Sequence, residues 1–108
     1  MIVEKPWGKE IWIAHNDKYA GKILNVNAGC KLSLQYHKKK METFYIDKGI
    51  GFLTLGDRTI QVNPGEYYDI KPETIHRFEA KYDCRIIEFS TPELDDVVRV
   101  EDDYGRVE

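Results

Sequence analysis

Cysteine is scarce in this chain of 108 residues: Cys30 and Cys84 stand alone, with no Cys-x-x-Cys pair. That excludes a thiolate zinc knuckle and a redox dithiol, and predicts two free, buried thiols. Long apolar runs are missing too. None approaches the roughly 20 residues of a membrane-spanning helix, and the N-terminus lacks a signal-peptide stretch, so a cytoplasmic protein without membrane contact is expected. Nor does one sign of charge dominate. Sixteen Lys and Arg face nineteen Asp and Glu, a formal net charge of −3, and the cations are not gathered on one face. Nucleic acid is therefore not an expected partner, because phosphate-backbone affinity needs clustered cations.

What remains is ordinary globular material, 42% hydrophobic and 32% charged, enough for one packed core and too little for two. Residues 1–108 read as a single domain. Sustained helical periodicity is absent, whereas period-two alternation recurs in short segments at 10–14, 20–26, 31–37, 42–47, 51–55, 58–62, 66–70, 76–80 and 84–90. Turn residues separate them, with Gly56-Asp57 a hairpin signal and Asn63-Pro64-Gly65 a tight turn. The pattern predicts an all-β sandwich or barrel. After it, Ser90 or Thr91 and Pro92 suit the start of one helical turn carrying Leu94, Val97 and Val98. Residues 92–108 hold seven acids against two arginines, which reads as a solvated acidic tail, with a flap at the barrel mouth as the alternative.

Within 31–37, alternation puts Leu32, Leu34 and Tyr36 on one face and Lys31, Ser33, Gln35 and His37 on the other. A hairpin over 38–41 would bring Glu42 beside His37, and His76 opens a later strand. Gln35, His37, Glu42 and His76 together offer two imidazoles, a carboxylate and an amide oxygen, donors suited to a divalent first-row metal with positions left for water or substrate. Taken singly, each has a plain explanation as a solvated or hydrogen-bonded strand residue. His15 reads as a surface residue.

The longer spacing adds to this. Gly29 is followed by five residues, Gln35, one residue, His37, four residues, Glu42, six residues and Gly49; Gly65 then reaches His76 at an offset of eleven. The chain resembles the two cupin motifs in their order. It is most similar to the cupin domain of mannose-6-phosphate isomerase of the kind usually fused behind a mannose-1-phosphate guanylyltransferase. That likeness rests on Lys5-Pro6-Trp7-Gly8, on the run from Leu32 to His37, where Gln-x-His replaces His-x-His, on His76-Arg77, and on the tail from Glu101 to Arg106. In the second motif Glu73 stands where glycine is expected, and Ala80 replaces the closing Asn.

The resemblance implies a single-domain cupin, an antiparallel jelly-roll β-barrel with a divalent metal inside, zinc ahead of manganese, iron or nickel. It implies aldose–ketose isomerisation of a phosphorylated or nucleotide-linked sugar, the metal acting as a Lewis acid. Glu88 is a candidate proton carrier if its side chain points inward, and otherwise the partner of a surface lysine. Lys38, Lys39, Lys40, Arg77, Lys22 and Trp7 are candidate substrate contacts, the three consecutive lysines as a mobile cationic rim for an anionic substituent. Alternatives are a sugar-binding or sensor cupin without turnover, an iron-dependent dioxygenase, or a sugar epimerase. A small barrel also leaves edge strands exposed, and covering them predicts a homodimer with residues 1–13 in the contact.

Overall fold

Alternation of inward and outward side chains builds eleven antiparallel strands in the computed structural model, which describes residues 1–101. They are β1 (Ile2–Lys5), β2 (Gly8–His15), β3 (Ala20–Val26), β4 (Leu34–Tyr36), β5 (Glu42–Lys48), β6 (Gly51–Leu55), β7 (Arg58–Val62), β8 (Tyr67–Ile70), β9 (His76–Ala80), β10 (Cys84–Ser90) and β11 (Val98–Glu101). A large sheet runs β1-β2-β3-β10-β5-β8 and a small one β11-β4-β9-β6-β7. The expected all-β antiparallel jelly roll is what forms. Between the sheets lie Phe44, Ile46, Leu53, Phe78 and Ile86, each at most 1% exposed. Burying each such side chain stabilises the fold by about 1.5–3 kcal/mol.

Two turns follow the sequence closely. Gly56 (φ +62°) closes the β6–β7 hairpin, and Gly65 (φ +90°) follows Pro64 in the turn before β8. Both need the left-handed region that glycine enters freely. Glu73 adopts the same region, at φ +66°, at the position where the family pattern carries glycine. Cys84 is buried and Cys30 half-buried, both free. No helix among the described residues is long and apolar enough to cross a membrane.

Four expectations need correction. The strand expected over 31–37 is regular only at β4, because Leu32 and Ser33 both turn inward and break the two-face alternation; before it, Lys31 makes a single bridge to Glu79. The stretch 38–41 is not a hairpin, since β4 pairs with β9 and β11 while β5 pairs with β10 and β8, so the chain crosses between sheets there. No helical turn follows Thr91. Thr91 instead exchanges hydrogen bonds with Met41, accepting from its N–H at 3.0 Å through Oγ1 and donating its own N–H to the Met41 carbonyl at 3.0 Å. The chain then passes through tight turns into β11, which pairs with β4. Residues 92–101 are thus a strap rather than a solvated tail. The tail residues Asp102 to Arg106 lie outside the described residues. Beyond these four, β1 is too short a segment to register as alternation in the sequence.

Candidate metal centre and adjoining pocket

Three side chains from both sheets converge inside the barrel. His37 follows β4, His76 is the first residue of β9, and Glu42 is the first residue of β5. Their ligating atoms all lie within 4.8 Å of one another, and all three residues are at most 2% exposed. His37 Nε2 sits 3.2 Å and His76 Nε2 3.0 Å from the same oxygen, Glu42 Oε1.

The outer nitrogens fix the tautomers. His37 Nδ1 lies 2.6 Å from the Asp96 carbonyl and His76 Nδ1 2.8 Å from the Thr74 carbonyl. A carbonyl only accepts, so each Nδ1 carries the hydrogen and donates it. In the neutral imidazoles both Nε2 lone pairs then point at a carboxylate oxygen, which also only accepts. His76 Nε2 is buried and makes no aligned hydrogen bond despite its 3.0 Å approach. Three acceptors around one space require a proton or a cation between them. Nδ1–H donation to a carbonyl is also the arrangement that orients a metal-ligating histidine. The donor set therefore fits a divalent cation. Gln35 stands directly across the ladder from His76, its Oε1 accepting from the Ser33 hydroxyl at 2.8 Å.

Behind Glu42 lies a buried charge relay. Lys40 Nζ is 3.2 Å from Glu42 Oε2 and 3.3 Å from Glu88 Oε2, and all three are nearly inaccessible. Strict alternation along β10 aims Cys84, Ile86, Glu88 and Ser90 inward. Burial pushes the Glu42 carboxyl up, but His37 and His76 against it and the Lys40 charge hold it well below the usual carboxylate range. Glu88 is shifted the other way. Burial and the Glu42 charge raise it, against the pull of Lys40 and Lys22. For Lys40, desolvation is outweighed by Glu88 and Glu42, which raise its pKa and keep it an ammonium.

A cavity of about 380 Å³ adjoins this cluster, with His37, Lys40 and Glu88 in its wall. Lys22 Nζ lies 3.1 Å from Glu10 Oε1 and 4.8 Å from the centre of the Trp12 ring, whose Nε1–H donates to Glu10 at 2.6 Å. Burial raises the Glu10 carboxyl, yet Lys22, Trp12 and Lys5 together lower it below its ordinary value. The strap closes the far side with Leu94, Asp95, Val97 and Arg99. The Asp96 carboxylate holds the backbone N–H groups of Lys38, Lys39 and Lys40 at 3.0, 2.7 and 3.0 Å. Those bonds, first from Lys38 and Lys39, bring its pKa down to about 2.

The expected residues divide accordingly. Gln35, His37, Lys40, Lys22, Trp7 and Glu88 face the cavity, and Glu42 and His76 lie directly behind it. Glu88 pairs with a buried lysine, not a surface one. Lys38 and Lys39 are exposed and outside the cavity wall, so the three lysines are not one mobile rim. Arg77 is also outside it: its Nε donates to the Leu32 carbonyl at 2.9 Å and its Nη2 to the Glu101 carbonyl at 3.3 Å, tying β9 to the strap. His15 is exposed at the end of β2, edge-on to Trp12. Sequence reading missed Glu10, whose signal was a carboxylate at an inward position of an apolar strand, and Asp96, whose contacts lie 56–58 residues away and leave no local signal.

Comparison with known sequences places these features in context. The sequence family described as "Mannose-6-phosphate isomerase C-terminal" matches residues 1–102. Mannose-1-phosphate guanylyltransferase ManC of Salmonella typhimurium is 34% identical across 97% of this chain, and alginate biosynthesis protein AlgA of Pseudomonas aeruginosa 29% identical across 96%. The chain spans 23% of the length of each. Among solved structures, KdgF from Halomonas superposes with a TM-score of 0.82 at 18% identity, over 88% of both chains. The capsular polysaccharide assembling protein CapF of Staphylococcus aureus gives 0.79 at 19% identity, over 94% of this chain and 34% of that one. At these identities the structural likeness establishes the fold, a cupin barrel.

Proposed function

Given that the chain belongs to the mannose-6-phosphate isomerase C-terminal family, we propose that it is a metal-dependent cupin that interconverts the aldose and ketose forms of a phosphorylated sugar whose anomeric carbon is free to open. The observation that carries this reading is the convergence of His37 Nε2, His76 Nε2 and Glu42 Oε1, with both Nδ1 atoms already spent on carbonyls. His37, His76 and Glu42 would hold the cation, with Gln35 as the neutral fourth donor. Sulfur-free donors of this kind suit zinc, manganese, iron or nickel, with zinc the first choice. When bound, the ion supplies Lewis-acid polarisation of the sugar's carbonyl and neighbouring hydroxyl.

The remaining work falls to the chain's own residues. Aldose–ketose interconversion moves one hydrogen between neighbouring carbons and one between their oxygens, with no external oxidant. Glu88 is the group that takes the carbon-bound proton and returns it to the adjacent carbon, because it is the inward carboxylate in the cavity wall not assigned to the metal or to Lys22. Lys40 positions it. Trp7 and Trp12 offer ring faces to the sugar, and Lys5, Lys22 and Arg99 are the cations of the cavity, besides Lys40, for an anionic substituent. A binding module without turnover is the second reading. It is favoured by the Lys40 ammonium, which ties up the carboxylate the reaction needs.

Elemental analysis of the purified chain, then incubation with mannose 6-phosphate and other sugar phosphates, tests the reading. Stoichiometric metal and interconversion that Glu88→Gln abolishes without metal loss are expected. Metal and ligand binding with no product would support the binding module, and a chain that takes up no divalent ion would overturn both.

A further inference from the structure

Glu10, the cavity carboxylate paired with Lys22, is buried and serves neither the metal cluster nor the proton transfer. The sheet register places it. Lys22 of β3 stands opposite Glu88 of β10 on one side and opposite Trp12 of β2 on the other, and Glu10 is two residues from Trp12 on the same strand. Two strand spacings, about 10 Å of backbone, therefore separate Glu88 from the Glu10 end of the cavity. An open six-carbon chain spans about 6 Å at ordinary carbon–carbon bond lengths. A sugar whose reacting carbons lie at Glu88 thus extends toward Glu10.

The two oxygens of Glu10 are not equivalent. Oε1 accepts from Trp12 Nε1–H at 2.6 Å and from Lys22 Nζ at 3.1 Å. Oε2 makes no hydrogen bond among the described residues, and Lys5 Nζ, its ion-pair partner, is 4.0 Å away, beyond hydrogen-bond reach. An ionised carboxylate accepts at both oxygens and donates nothing, so Oε2 has capacity left. The surrounding charges select what can use it. A phosphate is repelled by the carboxylate itself, and a cation by Lys22 and Lys5. A neutral donor meets neither penalty, and on a sugar that donor is a hydroxyl. Leu24, the ladder partner of Glu10, and Trp7 in the same wall are buried and apolar, surface on which carbon-bound hydrogens of a sugar pack.

Resting on the reading of the cavity as a sugar-phosphate site, we propose that Glu10 is its specificity-determining residue: Oε2 accepts a hydrogen bond from the hydroxyl on the third or fourth carbon of the sugar, while Trp12 and Lys22 hold the carboxylate in place. Two lysines against one carboxylate leave a net positive charge at this end, so an anionic substituent is accepted on the lysines' side and not at Oε2. A hydrogen bond to a charged group is strong enough that an analogue lacking that hydroxyl should bind about 10- to 100-fold more weakly.

The test is calorimetric titration of the full chain with mannose 6-phosphate, its 3-deoxy and 4-deoxy analogues, and inorganic phosphate. Wild type should lose about 10- to 100-fold in affinity for one of the two analogues. Glu10→Gln keeps an oxygen for Trp12 and Lys22 but removes the charge, and should narrow that gap to about 3-fold. It should also bind inorganic phosphate about 3-fold more tightly, a gain that a merely structural role for Glu10 does not produce. Should Glu10→Gln fail to fold, Glu10→Asp carries the test, since it keeps the charge, draws the acceptor back by one methylene and should narrow the gap likewise. Binding of all three sugars at one affinity overturns this proposal alone, as does a gap that both variants leave intact. A narrowed gap with weaker phosphate binding to Glu10→Gln means a collapsed cavity and also overturns it. If wild type binds none of the three sugars, the sugar-phosphate reading falls and this proposal with it.

Discussion

Glu42 is the residue on which the interior depends, because it answers to three cationic or metal-directed groups at once. His37→Ala or His76→Ala removes one donor from the cluster and should strip most bound metal from a barrel that still folds, as read by elemental analysis and circular dichroism. Lys40→Met acts differently. It leaves Glu42 and Glu88 as facing buried carboxylates, and breaking such a pair costs about 3–5 kcal/mol, measurable as a lower denaturation midpoint. Pairing it with Glu88→Gln should recover much of that loss, since the second negative charge goes too. Glu73 offers the opposite case. A left-handed L-residue costs about 1–2 kcal/mol, and glycine returns about 0.5–1 kcal/mol of that through its freer unfolded chain. Glu73→Gly should therefore raise the melting temperature by about 4 °C in calorimetry. Its N–H donates to the His37 carbonyl at 2.6 Å, so a metal titration of the same variant reports whether the strain also serves the site.

At the scale of elements, the strap over residues 92–101 links the cavity to the crossing between sheets. Asp96 does this twice, its carboxylate gathering three backbone N–H groups and its carbonyl orienting His37. Asp96→Ala should speed hydrogen exchange at Lys38, Lys39 and Lys40 and weaken metal binding by about 10-fold or more, the range seen when outer-shell support is lost. Elements differ in how plainly the sequence announced them. The stretches 20–26, 51–55, 58–62, 76–80 and 84–90 coincide with β3, β6, β7, β9 and β10, because each alternates between a more buried and a more exposed face. The irregular lead-in to β4 did not. There Leu32 packs in the core while Ser33 holds Gln35, and tertiary contacts override the alternation. The strap read as a helical turn because Leu94, Val97 and Val98 share helical spacing, yet the partner that decides its course, β4, is some sixty residues upstream.

Across the whole molecule, the cation would join neutral imidazoles on the small sheet to an anionic carboxylate on the large one. Metal at 100 times its dissociation constant should add about 2.7 kcal/mol of stability. Chelation should then lower the melting temperature by about 10–20 °C in wild type and hardly at all in His37→Ala. The same division explains what was legible. The resemblance to the cupin motifs pointed to His37, Glu42 and His76, since motif offsets survive in the linear chain. The direction of Glu88 needed the register of β10, and the burial of Lys40 needed both sheets. The strap carries a further consequence, one of timing. His37 acquires its orienting carbonyl from Asp96, 59 residues later in the sequence, while the cavity it adjoins also takes Lys5 and Trp7 from about thirty residues earlier. Joining residues so far apart costs more loop-closure entropy than joining neighbours, so hairpins such as β1–β2 and β6–β7 can form before that contact does. The cavity is therefore completed late, and truncation just before Asp96 should yield a barrel that folds yet holds its metal poorly.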